Sequence, residues 1–208
     1  MKRIRGWRHI HITEREKAHQ SPCGWDDAKW EDCTFMSAVE WWRAQGHPDV
    51  PHTHREGEHL RCASGRSMLG GTNLFDVKTA IAKRYKGNTP PALPGFHNLW
   101  QSLKPGTVGI VQGSMGAFPA SSKWRRWNPT FDGAHCVTVF RTTNRDRVWW
   151  CDPLAPKRVG YDGEWMTKAQ LKRYVDALPG YHMVGRIVPS LSLSPRQPVP
   201  VPPPHPTS

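Results

Sequence analysis

The sequence predicts an α+β fold, in which an N-terminal helix carrying a cysteine packs on an antiparallel β-sheet carrying a histidine and an aspartate. Apolar residues recur at three- and four-residue spacing from Phe35 to Trp42, which is typical of a buried helix. Two β-branched and aromatic runs, 135–140 and 147–152, flank a polar turn and therefore predict a hairpin. With 208 residues, the chain is long enough for one domain with a sizeable core.

The predicted helix carries a cysteine in its first turn. Asp32 is a favourable N-cap, and its charge suits the positive end of the helix dipole. Cys33 then lies close to backbone N–H groups that have no partner within the helix. Such groups stabilise a thiolate and lower the pKa of the thiol, so Cys33 is the candidate nucleophile.

The hairpin supplies candidates for the base and for the group that orients it. His135 opens the first strand and Asp152 closes the second, directly before Pro153. Because the two strands are antiparallel neighbours, we expect the His135 ring to contact the Asp152 carboxylate. A thiol, an imidazole and a carboxylate are the groups that nucleophilic amide cleavage requires. The adjacent Cys136 and Cys151 are expected to face the core, since strand side chains alternate.

Three stretches carry a family resemblance: "DCTFMSAV" around Cys33, "GAHCVTVF" around His135 and "VWWCDPLAP" around Asp152. Together they resemble the papain-like cysteine peptidases of the bacteriocin-leader-processing type, over residues 20–190. The chain is also similar to small papain-like proteins encoded by actinobacterial phages. The resemblance implies a papain-like fold without a cofactor. It further implies amide cleavage by these three residues, with a peptide or a peptidoglycan cross-bridge as substrate.

The sequence departs from that family beside the nucleophile. Thr34 follows the cysteine where the family has glycine, and Asp27 stands where the family has the glutamine that donates to the oxyanion. An ionised carboxylate repels an oxyanion, so Asp27 can donate only when it is protonated. Gln20, farther upstream, is a second candidate donor. Gln112 is a third, or alternatively a polar strand-end residue without this role.

Composition divides the chain into three regions. Residues 1–20 are expected to form an N-terminal arm or an edge strand, and residues 21–188 the papain-like cysteine peptidase domain. Residues 189–208 are expected to be a Pro-rich extended tail, because their composition favours polyproline II and cannot build a core.

The remaining elements of the domain follow from caps, periodicity and turns. Helices are predicted at 74–85 after a cap at Thr72 or Asn73, at 96–103, and from the Thr167 cap to 178. Strands are predicted at 107–113, paired with the histidine strand, and at 181–188, which closes the sheet.

Residues 47–62 are rich in histidine. Zinc is the metal that such ligands favour, and Cys62 adds a thiol, but the spacing matches no zinc-finger or zinc-ribbon pattern. We therefore predict solvated loop histidines and no metal site; the histidines are His47, His52, His54 and His59.

The loop 114–132, which contains the text "WRRW", is long for a compact domain. Because His135 follows it closely, the loop is expected to border the cleft, where Trp124 and Trp127 can contact substrate. Trp25 either lines the same cleft or covers the core. The alternative interpretation is that its tryptophans attach the loop to the body of the domain.

Charge and cysteine content bear on partners and location. A formal net charge of +12 favours a polyanion as binding partner, but no recognisable motif in the sequence supports nucleic-acid binding. The basic N-terminus is followed by no apolar stretch, so we expect no signal peptide, no membrane span and synthesis in the cytoplasm. The five cysteines are an odd number, and one disulfide, such as Cys23 with Cys62, stays open.

Two function classes follow. The first is a cysteine hydrolase that cleaves an amide bond in a peptide or a peptidoglycan cross-bridge. The second is a catalytically impaired papain-like scaffold that serves as a structural or adaptor protein of a phage particle. That scaffold would bind other virion proteins through the arm at 1–20 and the tail at 189–208.

Overall fold

The computed structural model describes residues 33–66, 72–155 and 163–188, which form an α+β fold as predicted. The predicted arm, the start of the domain up to residue 32 and the Pro-rich tail lie outside the described residues. The helices are α1 (Cys33–Ala44), α2 (His54–Ser64), α3 (Leu74–Tyr85), α4 (Gly95–Ser102) and α5 (Lys168–Asp176). The strands are β1 (Leu93–Pro94), β2 (Thr107–Ser114), β3 (Ala134–Arg141), β4 (Arg147–Cys151), β5 (Glu164–Thr167) and β6 (Tyr181–Arg186).

The six strands form one antiparallel sheet in the order β1-β6-β2-β3-β4-β5. Strand β2 pairs with β3 along its whole length, from Thr107 opposite Arg141 to Ser114 opposite Ala134. The predicted hairpin of β3 and β4 and the predicted pairing of β2 with the histidine strand are confirmed. Strands β1 and β5 were not predicted, because two and four residues are too short to show a period.

Helix α1 is fixed to the middle of the sheet by three side-chain hydrogen bonds. Ser37 Oγ donates to the Cys136 carbonyl at 3.1 Å, and Thr138 Oγ1 donates to the Ser37 carbonyl at 3.1 Å. One helical turn later, Trp41 Nε1 donates to the Val108 carbonyl at 3.2 Å. These bonds set the position of the helix along β3 and therefore the position of its N-terminus.

The core has two parts, one on each face of the sheet. Helices α1 to α3 cover the first face, where Cys136 and Cys151 are buried as the alternation of strand residues predicts. Helices α4 and α5 pack on the other face, around the fully buried Tyr174. Trp149 packs against the first part and Trp150 lies in the second, so these neighbouring residues of β4 face opposite sides of the sheet.

The prediction of a solvated loop across residues 47–62 is wrong, because helix α2 begins at His54 within it. Thr53 is the N-cap, and its side chain accepts a hydrogen bond from the Glu56 N–H at 3.2 Å. Gly65 ends the helix in the left-handed conformation, with φ of 79°. His54 is only 3% exposed, so burial of one helix face outweighed the polar composition that suggested a loop.

Helix α2 also carries Cys62. Cys62 takes part in a disulfide bond, and its suggested partner Cys23 lies outside the described residues. Within residues 33–66, 72–155 and 163–188, no group of three His, Cys, Asp or Glu residues can hold a metal ion. No helix in those ranges is long and apolar enough to cross a membrane.

We expect Gly113→Ala to destabilise the fold. A Cβ at this position would lie 2.4 Å from two ring carbons of Tyr174 and 2.5 Å from its carbonyl oxygen, so strand β2 and helix α5 must separate. The expected loss is about 1–3 kcal/mol in the free energy of unfolding, measured by urea denaturation. Gly180→Ala is the control, because its nearest neighbour, Gln112 Cβ, is 3.5 Å away. Equal stability of the two variants would contradict the close packing of Tyr174 on β2.

Candidate active site

Cys33 is the first residue of α1, and its side chain is half-buried at the end of the sheet. The N–H groups of the first helical turn have no carbonyl partner within the helix, and the helix dipole adds a partial positive charge there. Ser37, one turn later, is bonded to the backbone of Cys136. The thiol is therefore held beside the start of strand β3, where His135 lies.

His135 is the second residue of β3, opposite Gly113 on β2. The residue is 3% exposed, and its Nε2 lies 2.8 Å from Asp152 Oδ1. The ring also hydrogen-bonds the Cys33 thiol. Since Nε2 faces the carboxylate, Nδ1 is the nitrogen left for the sulfur. The structure thus brings together the three side chains that the sequence selected.

Asp152 directly follows β4 and is 2% exposed. Its Oδ1 also accepts a hydrogen bond from the Leu154 N–H at 2.9 Å, and its carbonyl accepts one from the Ala155 N–H at 3.1 Å. These bonds close a turn at Pro153 and fix the carboxylate in one orientation. Asp152 can therefore hold the His135 ring in place and select which nitrogen carries the proton.

Opposing effects act on the ionisation of the pair. Burial raises the pKa of the Cys33 thiol, but the charge of His135 and its hydrogen bond lower that pKa. Hydrogen bonds from the Cys136 backbone and from Thr34 act in the same direction, so the pKa of Cys33 falls below its ordinary value. Burial lowers the pKa of His135, but the charges of Asp152 and Cys33 and their hydrogen bonds raise it to about 10. Both shifts favour a thiolate beside an imidazolium.

Cys136 is the contrasting thiol. It is 1% exposed, and burial together with the nearby Cys33 charge raises its pKa well above the usual range. Cys136 therefore stays protonated where Cys33 ionises, and only one of the two neighbouring thiols is prepared for attack on a carbonyl.

Two aromatic residues contact His135. The Phe131 ring meets the His135 ring edge-to-face, with centroids 5.8 Å apart. The Tyr174 hydroxyl donates to the His135 carbonyl at 2.6 Å. Sequence reasoning identified neither residue as part of the site. Tyr174 showed only as one apolar position of a helix, and nothing in the text of the loop marks Phe131.

The predicted oxyanion donors have different outcomes. Asp27 and Gln20 lie outside the described residues. Gln112 Nε2 donates to the Thr72 carbonyl at 3.1 Å, so this amide is bonded to the chain just before α3. The side chain of Thr34, the residue that replaces glycine, hydrogen-bonds the Cys33 sulfur. Among the described residues, the backbone N–H groups of the first turn of α1 are placed to stabilise negative charge.

The prediction that Trp124 lines the cleft is wrong. The residue is 4% exposed and packs in the core against Trp150 and Phe118, with ring centroids 5.9 Å and 6.0 Å away. Trp127 is half-buried, with the Arg126 guanidinium 4.3 Å from its ring centroid, and Trp25 lies outside the described residues.

Two ion pairs tie the same loop to strand β5, where Lys123 and Arg126 lie 3.0 Å and 3.2 Å from Glu164. The loop is therefore attached to the body of the domain, which was the alternative interpretation. The burial of Trp124 distinguishes the two interpretations of the loop. A tryptophan in a polar loop has no periodic pattern around it from which its burial could be predicted.

Comparisons with known proteins assign no function to this site. No protein-family model matches the chain, and no curated protein matches it. A similar solved structure is described as a C39-like peptidase from Bacillus anthracis, with a TM-score of 0.49 and 13% sequence identity. The match covers 76% of this chain and 91% of that one. At this level of similarity, nothing about fold or function is inferred from it.

We expect Cys33 to react with iodoacetamide at about pH 6 at least about tenfold faster in the wild type than in His135→Ala. The folded pKa of Cys33 is lowered, so its reactivity is lost only as the pH falls through that lowered value. In His135→Ala the positive charge that lowers the Cys33 pKa is absent. Cys33 in this variant therefore loses its reactivity as soon as the pH falls below the ordinary thiol pKa of about 8.5. The rates are measured by mass spectrometry of the Cys33 peptide.

Two comparisons make this result specific. His97→Ala removes an exposed histidine of α4 and should leave the Cys33 rate unchanged. The buried Cys136 reports on folding in each variant, because its alkylation reveals an opened core. Equal Cys33 rates in the wild type and His135→Ala, with Cys136 protected in both, would contradict an activated pair.

Proposed function

We propose that the chain is a papain-like cysteine hydrolase that cleaves an amide bond in a peptide or a peptidoglycan cross-bridge. One observation carries the proposal: a half-buried thiol, a buried imidazole and a buried carboxylate are joined by hydrogen bonds at the point where a helix begins beside a sheet. Nucleophile, base and orienting group are the three parts that covalent amide cleavage requires.

The chemistry follows from these groups. The Cys33 thiolate attacks the amide carbonyl carbon, and the carbonyl π electrons move to the oxygen. Backbone N–H groups at the start of α1 stabilise this oxyanion. The His135 imidazolium then gives its proton to the amine nitrogen, the C–N bond breaks, and an acyl thioester remains on Cys33. Neutral His135 next removes a proton from water, and the resulting hydroxide attacks the thioester carbonyl. The C–S bond then breaks, which releases the acid and restores the Cys33 thiolate beside the His135 imidazolium.

Asp152 supports each proton transfer without taking the proton itself. Its carboxylate lies 2.8 Å from Nε2, so it stabilises the positive ring and keeps Nδ1 directed at the sulfur. The bond from the Leu154 N–H holds the carboxylate, which prevents the ring from rotating away when the sulfur is acylated.

A second candidate function is a catalytically impaired papain-like scaffold that acts as an adaptor protein of a phage particle. The observation that favours it is the Gln112 amide, a candidate oxyanion donor that instead donates to the Thr72 carbonyl. Its contact surfaces would be the arm at 1–20 and the tail at 189–208.

Cys33→Ala distinguishes the two functions. Wild type and variant are each incubated with a mixture of peptides and, separately, with purified peptidoglycan, and newly formed amino termini are counted by mass spectrometry. A hydrolase produces termini in at least one arm, and the variant loses at least about a thousandfold in rate because no other group forms the thioester. Cys151→Ala is the control, because it removes a second thiol, which is 2% exposed and pairs with Thr138 on β3, not with His135. Absence of Cys33-dependent cleavage in both arms would favour the scaffold.

A further inference from the structure

A cavity of about 460 Å³ lies between the start of α3, strand β1 and the turn before β6. The side chains that line it include Phe75, Pro94, Gln112, Pro179 and Tyr181, and this set is called the aromatic pocket below. None of the lining residues carries a charge at neutral pH. The volume falls within the range of about 300–1,000 Å³ that is usual for binding sites.

The described residues leave apolar surface of the aromatic pocket uncovered. Phe75 is 48% exposed and Tyr181 is 43% exposed, and their rings meet edge-to-face with centroids 5.0 Å apart. Val188, at 45%, is the third large hydrophobic residue that is exposed in the described ranges. It directly precedes the Pro-rich tail at 189–208, which lies outside the described residues. One segment that starts at Val188 and reaches the pocket would therefore cover all three residues.

Strand β6 sets the distance between the start of the tail and the pocket. The Val188 N–H donates to the Ala44 carbonyl at 2.9 Å, so the chain leaves the sheet at the end of β6 that is opposite to Tyr181. Seven residues separate Tyr181 from Val188, which corresponds to about 23 Å along a strand. The run 197–204 begins nine residues after Val188, and nine residues span about 28 Å as polyproline II. The tail is therefore long enough to bring this run back to the pocket.

The chemistry of the run 197–204 matches that of the aromatic pocket. Its sequence, Gln-Pro-Val-Pro-Val-Pro-Pro-Pro, contains no charged residue and favours polyproline II. Such segments bind in grooves lined by aromatic side chains, because they are already extended and lose little conformational entropy. A polyproline II backbone has no internal hydrogen bonds, so one of its carbonyls can accept a hydrogen bond from the Tyr181 hydroxyl. A charged segment would instead lose its hydration against these uncharged walls.

The pocket and the tether both favour binding within one chain. Pro94 pairs with Tyr181 across β1 and β6, and the Gly95 N–H donates to the Gly180 carbonyl at 3.3 Å, so these walls are already fixed. A short tether gives the run an effective concentration on the order of 1 mM at the pocket. Even a contact with a dissociation constant of about 1 mM would then be occupied about half of the time.

We propose that residues 197–204 bind in the aromatic pocket of their own chain as a polyproline II segment. Phe75 and Tyr181 pack against its prolines and valines, and residues 189–196 connect it with the end of β6. This assignment is independent of the proposed hydrolase function, because it gives an occupant to a surface outside the candidate active site.

The test places p-benzoyl-phenylalanine at position 75 of the full chain, where it keeps an aromatic ring. An equal mixture of unlabelled and nitrogen-15-labelled chains is irradiated and digested with trypsin, which releases residues 197–208 after Arg196. Mass spectrometry measures the yield of cross-links to that peptide. The control position is Arg145, which is exposed and follows β3 at the end of the sheet where the tail begins. We expect position 75 to give at least about fivefold more of this cross-link than position 145, with both peptides from one chain.

Two tail variants make the result specific. The first replaces three prolines of the run: Pro198→Gly, Pro200→Gly and Pro202→Gly. It should lower the yield from position 75 at least about fivefold, because glycine removes the preference for polyproline II. The matched control replaces three serines before the run and should keep the yield: Ser190→Gly, Ser192→Gly and Ser194→Gly.

Three results would each overturn the proposal. The first is a similar yield from positions 75 and 145, which is what a tail without a binding site gives. The second is an unchanged yield in the proline variant. The third is a cross-link that joins a labelled with an unlabelled chain, because a second copy would then be the occupant of the pocket.

Discussion

The register between helix α1 and strand β3 is the constraint on which the candidate site depends. Ser37 bonds to residues 99 and 101 positions away in the chain, through the Cys136 carbonyl and the Thr138 hydroxyl. A shift of the helix by one turn would move Cys33 by about 5.4 Å and separate the sulfur from His135. Two hydrogen bonds in the core thus determine whether nucleophile and base meet.

The same contact explains why burial does not neutralise the pair. A lone buried thiolate or a lone buried imidazolium is costly, and burial alone moves both pKa values toward the neutral forms. The two charges instead stabilise each other, with Asp152 adding a third and the Cys136 backbone and Thr34 adding hydrogen bonds to the sulfur. Buried charges persist where they are paired and hydrogen-bonded, and this pairing keeps the sulfur in the ionised form that acts as the nucleophile.

The sequence predicted the parts of the fold that have strong local signals. Helix α1, the β3–β4 hairpin and the capped helices α3 and α5 were found because periodicity, turns and caps act within a few residues. Helix α2 was missed because its composition is polar, although Thr53 and Glu56 carry the spacing of a helix start.

The sequence identified the three reacting residues of the candidate site, but it did not predict how the residues around them are placed. Cys33, His135 and Asp152 are each marked by their place at the end of an element, and those ends converge in the fold. The orientation of Gln112 depends on the Thr72 carbonyl, 40 residues away. The burial of Trp124 depends on its packing in the part of the core that α4 and α5 cover. Such tertiary contacts leave no periodic signal in the sequence.

The ionisation of His135 is the most direct measure of the central claim, which is that a thiolate–imidazolium pair exists in the folded protein. Nitrogen NMR of the histidine rings, followed against pH, reports which ring nitrogens carry protons. The account predicts that both nitrogens of His135 are protonated at about pH 8 and that the ring loses a proton only near its raised pKa of about 10. In Cys33→Ser that pKa should fall, because the negative sulfur is gone. A neutral His135 ring at about pH 7 in the wild-type protein would contradict the account.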